Sequence, residues 1–305
     1  MYIVVVMCAL LGGLPLYLRT QGIFACPATG YTAHDFIADC NASAYGDYDH
    51  GAFWFGLEPE ALRSAAEADV LFLGSSRLQF GLSSKVAADW FARRSIHHFL
   101  FGFSDTETVV FAGPVLRRLE PRAKAIVINV DRFFDDRISK PTQELLRNNS
   151  EAWWKYRAKR AWQSFHRDLC GKAPLLCGSS TVVYRSRTNG AWQMHGARVN
   201  EGLPVFDGPP LQSERWPEFS RIAEGFLSHL PVQRNCVLLT IVPTVETKRA
   251  EAEAIASAVG LELVAPQVGG LRTFDGSHLD AVSAERWSSA FLDAAAPRLL
   301  NCLGR

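Results

Sequence analysis

The sequence predicts a doubly wound α/β fold built on a mostly parallel, five-stranded sheet. Short, continuous apolar runs recur along the chain, and amphipathic stretches of helical length separate them. Apolar runs of this kind suit strands that are buried on both faces, and their alternation with helices is typical of an α/β domain. The chain has 305 residues, 48% of them hydrophobic, so it can bury a large core.

The individual elements follow from the apolar runs and from the stretches between them. The predicted strands cover 70–73, 97–101, 125–130, 236–242 and 261–264. The predicted helices cover 84–94, 106–119, 246–259 and 283–300. Ser104 and Glu107 have the spacing of a capping box, which predicts the start of the second helix. Gly260 is expected to close the third.

Two segments depart from this alternation. Residues 20–65 carry glycines, prolines and many aromatic side chains, so we interpret them as an ordered connector packed on the main domain of 66–305. Within that domain, about 138–220 is rich in Trp and Arg and is interpreted as an inserted helical and loop region. From 139 to 200 it has eleven basic and three acidic residues, an excess of eight positive charges. Most of them suit a solvated helix face, and a few suit contacts to an anionic polysaccharide or to phospholipid headgroups.

The chain begins with an apolar run. Residues 2–18 contain no charged side chain, and Arg19 ends the run. A helix of this length reaches about 25–27 Å, close to the ~30 Å hydrocarbon core of a bilayer. We interpret 1–19 as a signal anchor or transmembrane helix, with a cleaved signal peptide or a buried core helix as alternatives. The remainder is expected to face the periplasm or the cell exterior, secreted if the leader is cleaved.

Six cysteines follow this run, and an even set downstream of an apolar leader indicates an oxidising compartment. Proximity in sequence favours the pairs Cys26–Cys40, Cys170–Cys177 and Cys236–Cys302. This pairing is a preference, since six cysteines allow about fifteen connectivities. Six free buried thiols in a cytosolic protein are the alternative.

Charge and ligand spacing exclude several classes of partner. The formal net charge is +1, which gives no field that would attract nucleic acid. No tight pair of cysteines with a matching histidine spacing is present, so neither a metal site nor a cofactor is predicted. His97 and His98 are interpreted as strand residues for the same reason.

Polar side chains follow three of the predicted strands at their carboxyl ends, where parallel sheets bind ligands. Ser76 follows the first strand, Asn129 and Asp131 end the third, and Asp275 and His278 follow the fifth. A serine hydroxyl becomes a nucleophile when a histidine, oriented by a carboxylate, accepts its proton. The pattern therefore predicts a catalytic triad. The alternatives are a helix-capping serine and a surface histidine.

Together these motifs resemble the SGNH (GDSL-like) hydrolase family. Gly74-Ser75-Ser76 after an apolar strand is similar to the nucleophile block, with Ser75 where Asp is usual, and Asp275 and His278 match the final Asp-x-x-His block. The resemblance implies an SGNH/flavodoxin-like fold. It also implies that Ser76 is the nucleophile, His278 the general base and Asp275 its orienting group.

The resemblance also supplies the remaining site residues. It implies an oxyanion hole formed by Ser76, by the second-block glycine Gly102 and by Asn129, although the stretch Ile128-Asn129-Val130-Asp131 departs from the family's Gly-x-Asn-Asp. Three charged side chains beside these blocks are expected to bind substrate: Arg77, Asp131 and Arg132.

The Gly-Ser-Ser-Arg variant with a leader is similar to exported, membrane-anchored members related to the alginate O-acetylation proteins and to DltD. This implies a serine esterase or O-acyltransferase that acts on acyl (acetyl) esters of a cell-envelope carbohydrate, with a membrane acyltransferase as a candidate partner. The altered third block and the basic insertion favour the alternative, an inactive glycan-binding or scaffold component. An α/β-hydrolase would need Gly-x-Ser-x-Gly, and Leu78 breaks that motif.

Overall fold

The computed structural model describes residues 35–40, 48–104, 107–147, 149–172, 182–195, 202–208 and 215–305. The predicted anchor over 1–19 lies outside these residues. The pairs Cys26–Cys40 and Cys170–Cys177 lie outside the described side chains. Within the described part of the chain, no helix combines the length and the apolar character needed to cross a membrane.

The strands and helices are named here in chain order. The strands are β1 (Phe36–Cys40), β2 (Val70–Ser75), β3 (His98–Phe103), β4 (Ala125–Asn129), β5 (Val182–Ser186), β6 (Trp192–His195), β7 (Leu203–Pro204), β8 (Val237–Thr240), β9 (Glu262–Leu263) and β10 (Arg272–Thr273). The helices are α1 (Tyr48–Trp54), α2 (Pro59–Ala66), α3 (Ser76–Gly81), α4 (Ser84–Ala92), α5 (Val109–Leu119), α6 (Lys140–Arg147), α7 (Asn149–Lys172), α8 (Trp216–Leu227), α9 (Arg249–Ala258) and α10 (Ala281–Cys302).

The chain divides into two compact units. The first comprises residues 1–58, 144–187 and 192–198. Its described part contains an antiparallel sheet of order β1-β5-β6, with α1 and α7. A fully buried ion pair between Arg185 and Asp49, at 2.7 Å, lies inside this unit.

The segment predicted as helices and loops thus also contains the strands β5, β6 and β7. The reason lies in long-range pairing. β5 is rich in β-branched and aromatic residues, and it pairs with β1, more than a hundred positions earlier in the chain. A local sequence pattern does not reveal such a partner.

The second unit comprises residues 59–143, 188–191 and 199–305 and contains the predicted α/β sheet. Five strands pair in parallel in the order β3-β2-β4-β8-β9. Strands β2, β3, β4 and β8 are buried along their whole length. Helices flank the sheet, consistent with a doubly wound fold. Because β3 and β4 lie on opposite sides of β2, the strand order reverses at β2, and ligands bind at such switch points.

The predicted strands are present with bounds shifted by at most two residues, whereas two predicted helices begin three residues later than expected, α5 at Val109 and α9 at Arg249. Helix α5 begins at Val109, and its N-cap is Thr108, whose hydroxyl accepts from the Val110 N–H. Glu107 is used elsewhere, since its carboxylate accepts hydrogen bonds from Ser139 and, at 2.9 Å, from Thr142. The Ser104–Glu107 capping box is therefore replaced by a cap that lies closer to the helix.

In the core of the second unit, α10 packs against the sheet. Trp287 and Phe291 stack with ring centroids 5.2 Å apart, and Phe291 contacts Phe72 of β2 edge-on. Full burial of each such side chain stabilises the fold by roughly 1.5–3 kcal/mol. The predicted pair Cys236–Cys302 lies at disulfide distance, with Cα atoms 5.6 Å apart. It joins the turn before β8 to the end of α10.

Candidate functional site

Strand β2 ends at Ser75, and helix α3 begins at the next residue, Ser76. The side chain of Ser75 caps this helix, because its hydroxyl accepts a hydrogen bond from the Arg77 N–H at 3.3 Å. The capping role considered for Ser76 thus belongs to its neighbour. The Ser76 hydroxyl is half-buried at the carboxyl edge of the sheet.

Two glycines allow the strands to approach closely at this edge. A Cβ at Gly74 would lie 3.0 Å from the Leu78 Cβ and 3.1 Å from the Asn129 Cβ. A Cβ at Gly102 would lie 2.8 Å from the carbonyl oxygen of Ser75. A side chain at Gly102 would force β3 and Ser75 apart, and one at Gly74 would require Leu78 or Asn129 to move by a few tenths of an ångström.

The three predicted triad residues meet in one hydrogen-bonded chain. Nε2 of His278 lies 2.9 Å from the Ser76 Oγ, and its Nδ1 lies 2.7 Å from Oδ2 of Asp275. The carboxylate only accepts, so Nδ1 carries the proton in this arrangement and Nε2 accepts from the serine hydroxyl. An imidazole in this state can remove the serine proton as the oxygen attacks.

The loop that carries Asp275 and His278 is fixed by its own hydrogen bonds. Oδ1 of Asp275 accepts from the backbone N–H groups of Ser277, at 2.9 Å, and His278, at 2.8 Å. Gly276 has φ of 85°, a left-handed conformation that suits glycine. Burial alone would raise the pKa of the Asp275 carboxyl, but the hydrogen bonds from His278 and Ser277 outweigh it, and the pKa is lowered. Asp275 is therefore an anion at neutral pH.

Two aromatic rings hold the imidazole in place. The Phe80 ring contacts His278 edge-on at 4.9 Å, and Phe274 stacks on it with centroids 5.6 Å apart and planes at 19°. The His278 side chain is 18% exposed and that of Asp275 38%, so solvent reaches the site. Sequence reasoning missed both rings. A signal existed for Phe80, which follows Ser76 by four positions, one helical turn.

Of the three side chains predicted to bind substrate, two pair with each other and the third does not. Nε of Arg77 donates to the Ser277 Oγ at 2.9 Å, and its Nη1 donates to the carboxylate of Asp131, which is buried. Arg77 and Asp131 thus bind each other. Arg132 is half-buried and has a left-handed backbone, with φ of 54°. No hydrogen bond or ion pair joins its side chain to the residues that the structure describes.

Two of the predicted oxyanion residues, Gly102 and Asn129, lie on β3 and β4, the strands on either side of the strand that precedes Ser76. Asn129 is the last residue of β4 and is fully buried, and its Oδ1 accepts from the Val242 N–H at 3.0 Å. That bond fixes the amide orientation. The Nδ2 group is enclosed and has no hydrogen-bond partner among the described residues. The carbonyl of Gly102 accepts from Nε2 of Gln79 at 3.0 Å. The oxyanion role of both residues stays a prediction.

A second feature of this unit lies away from the triad. A cavity of about 530 Å³ lies between α5 and α8 and is lined by Gly113, Arg117, Phe226 and His229 among others. None of the triad residues lines it. In the described ranges, no three His, Cys, Asp or Glu side chains group in a way that could hold a metal ion.

The site is therefore defined by the chain's own geometry. It brings Ser76, His278 and Asp275 together at the switch point of a parallel sheet. Comparisons with models of known protein families, with curated proteins and with solved structures gave no match.

Proposed function

We propose that this protein is an SGNH-type serine hydrolase: an extracytoplasmic esterase or O-acyltransferase that acts on acyl esters, acetyl esters above all, of a cell-envelope carbohydrate. The observation that carries the proposal is the hydrogen-bonded chain from Asp275 through His278 to Ser76. Nucleophile, base and orienting carboxylate are at the distances that this chemistry requires.

In the first half-reaction, the Ser76 Oγ attacks the acyl carbonyl carbon while Nε2 of His278 takes the hydroxyl proton. A tetrahedral oxyanion forms. The bond between the acyl carbon and the alcohol oxygen then breaks, and His278 returns the proton to the leaving oxygen. The products are a free alcohol and an acyl ester on Ser76. Asp275 stabilises the imidazolium that exists between the two proton transfers.

In the second half-reaction, water or a sugar hydroxyl attacks the acyl-Ser76 carbonyl. His278 accepts the proton of the attacking group and donates it to the Ser76 Oγ as that oxygen leaves. Attack by water releases the carboxylic acid, and attack by a sugar forms a new ester. The same residues serve both outcomes, so the acceptor decides between hydrolysis and transfer.

The resemblance of Gly74-Ser75-Ser76 and of Asp275 with His278 to the SGNH blocks supports the family assignment. The position of Ser76 after the strand at which the sheet order reverses agrees with it. Carbohydrate as the alcohol and a membrane acyltransferase as a partner rest on the resemblance to exported members of that family.

The extracytoplasmic location has two supports. The apolar run over 2–18 has the composition of an export segment. The Cys236–Cys302 pair at disulfide distance is typical of an oxidising compartment. Fractionation of cells that express a tagged chain tests this part, and a chain found in the cytoplasm with both thiols free would refute it.

The direct test of the activity is ester hydrolysis by the purified protein. With p-nitrophenyl acetate and an acetylated polysaccharide as substrates, Ser76→Ala should lower kcat by at least about 10³. Ser289→Ala is the matched control, because its hydroxyl bonds only within α10, to the Glu285 carbonyl. Equal rates for the wild type and Ser76→Ala would refute the nucleophile assignment.

One observation favours a second function. The Asn129 amide group is enclosed, so a donor expected in the oxyanion hole is closed to substrate in this conformation. A non-catalytic, glycan-binding or scaffold component is consistent with that. Labelling with a fluorophosphonate distinguishes the two functions. Modification of Ser76 supports the enzyme, whereas glycan binding without labelling supports the scaffold.

A further inference from the structure

Arg77 connects α3, the loop between Asp275 and His278, and the segment after β4 at the candidate active site. It follows Ser76 directly, at the start of α3 after β2. Its Nε donates to the Ser277 Oγ at 2.9 Å, in the loop between Asp275 and His278. Its Nη1 donates to Asp131, just after β4. The side chain next to the nucleophile thus binds both the loop that carries the base and the segment that follows β4.

The chemistry of the guanidinium group suits this position. It is planar and offers donors in fixed directions, so two different acceptors can be held at once. Asp131 is buried, with 3% of its side chain exposed, and its carboxylate needs a cation at that depth. The pair with Asp131 fixes the guanidinium plane, and that plane in turn fixes the direction of the Nε–H bond towards Ser277.

We propose that Arg77 is a positioning residue that sets the distance between Nε2 of His278 and the Ser76 Oγ. The inference rests on the proposed function, since it assigns a role within the same triad. Two hydrogen bonds join the loop to α3, one from the triad itself and one from Arg77 to Ser277. Loss of the second weakens this connection, which then rests on the triad bond and on the edge-on contact of Phe80 with His278. The imidazole can then shift away from the hydroxyl, and a displacement of about 1 Å can cost about 10² in rate.

The kinetic test uses two substitutions. Ser277→Ala removes only the hydroxyl that receives the Nε–H bond. Arg77→Lys keeps a cation beside Asp131 but lacks the second donor direction. Each should lower kcat for p-nitrophenyl acetate about tenfold or more, with KM within about twofold of the wild type, because the proton transfer and not binding is impaired. Ser289→Ala and Arg234→Lys are the matched controls, since Arg234 pairs with Glu224 on the exposed surface.

A double variant with both substitutions tests whether the residues act through one contact. Its kcat should equal that of the less active single variant, because each single substitution already removes the bond between Arg77 and Ser277. Multiplicative effects would overturn the inference. So would wild-type kcat in both single variants. A raised KM with unchanged kcat would show instead that Arg77 binds substrate.

Hydrogen–deuterium exchange supplies a readout that does not need activity. The N–H groups of Ser277 and His278 are bonded to Asp275 within the loop. In Ser277→Ala and Arg77→Lys, residues 274–279 should exchange faster, with unchanged exchange in α10. Unchanged loop exchange would overturn the positioning role. If Ser76→Ala hydrolyses esters like the wild type, the proposed function fails, and exchange alone decides whether Arg77 holds the loop.

Discussion

Nε2 of His278 lies 2.9 Å from the hydroxyl of Ser76, a residue 202 positions earlier in the chain. The contact joins the start of α3 to the loop that follows β10, both in the second unit. It depends on buried strands and on two close-packed glycines rather than on local sequence. Changes to the frame and changes to the triad should therefore have distinguishable effects.

Asp275→Asn should lower kcat by about 10⁴ while the fold is kept. The amide cannot hold Nδ1 of His278 protonated with the same preference, so Nε2 no longer accepts the Ser76 proton. Steady-state hydrolysis of p-nitrophenyl acetate measures the loss. Asp69→Asn is a control at a partly exposed ion pair with Lys124. Full activity in Asp275→Asn would contradict the orienting role.

Gly74→Ala should both destabilise the protein and lower activity. The new Cβ would lie 3.0–3.1 Å from Leu78 and Asn129, so the turn before Ser76 must shift. Overpacking of this kind typically costs about 1–3 kcal/mol. Gly225→Ala is the matched control, because a Cβ there meets nothing within 4 Å and the residue lies inside α8. The control should gain up to about 1 kcal/mol of helix stability. Thermal unfolding measures the stability of both variants, and hydrolysis of p-nitrophenyl acetate measures their activity.

Stability should fall between pH 6.5 and 4 because of His98. Burial and the nearby His97 lower the pKa of this imidazole to about 4, and its ring stacks on Phe91 at 4.3 Å. The unfolded state, with a pKa near 6.5, then binds more protons, so stability is present above that pH and is lost as pH falls towards 4. The effect amounts to about 3 kcal/mol.

His98→Phe keeps the stacking and removes the titrating group. Urea unfolding at pH 7 and pH 4.5 should therefore show a smaller difference for this variant than for the wild type. Identical pH dependence in the two proteins would mean that other groups cause the loss at low pH.

In the first unit, Arg185→Met should cost about 3–5 kcal/mol. It leaves Asp49 as a buried anion without its cation, and both side chains of the pair are at most 2% exposed. Arg234→Met breaks an exposed pair with Glu224 and should cost about 0–1 kcal/mol. Urea midpoints of the two variants measure the contrast. A double variant, Arg185→Met with Asp49→Leu, should recover part of the lost unfolding free energy. Equal losses in all variants would mean that the unpaired Asp49 carboxylate is not the cause.

The sequence was informative where a side chain's role follows from its position at a strand end. Apolar runs predicted all five parallel strands, and the ends of two of them predicted Ser76 and the Asp275–His278 pair. It was uninformative where the role depends on a distant partner. Arg77 and Asp131 are predicted to bind substrate because each lies beside a motif. That role stays a prediction, and their pairing with each other is visible only in the folded chain. The β1–β5 pairing was hidden for the same reason.

The role of Asn129 has the sharpest remaining test. Its Oδ1 accepts from the Val242 N–H, so Asn129→Asp keeps an acceptor there and replaces only the Nδ2 group, whereas Asn129→Ala also leaves Val242 without its acceptor. If Nδ2 opens towards the tetrahedral intermediate, Asn129→Asp should lower kcat by about 10²–10³ with little change in KM. Thermal unfolding of both variants separates this from a loss of folded protein. An unchanged kcat in folded Asn129→Asp would mean that backbone N–H groups alone stabilise the oxyanion, and the enclosed amide would then be a structural feature of the end of β4.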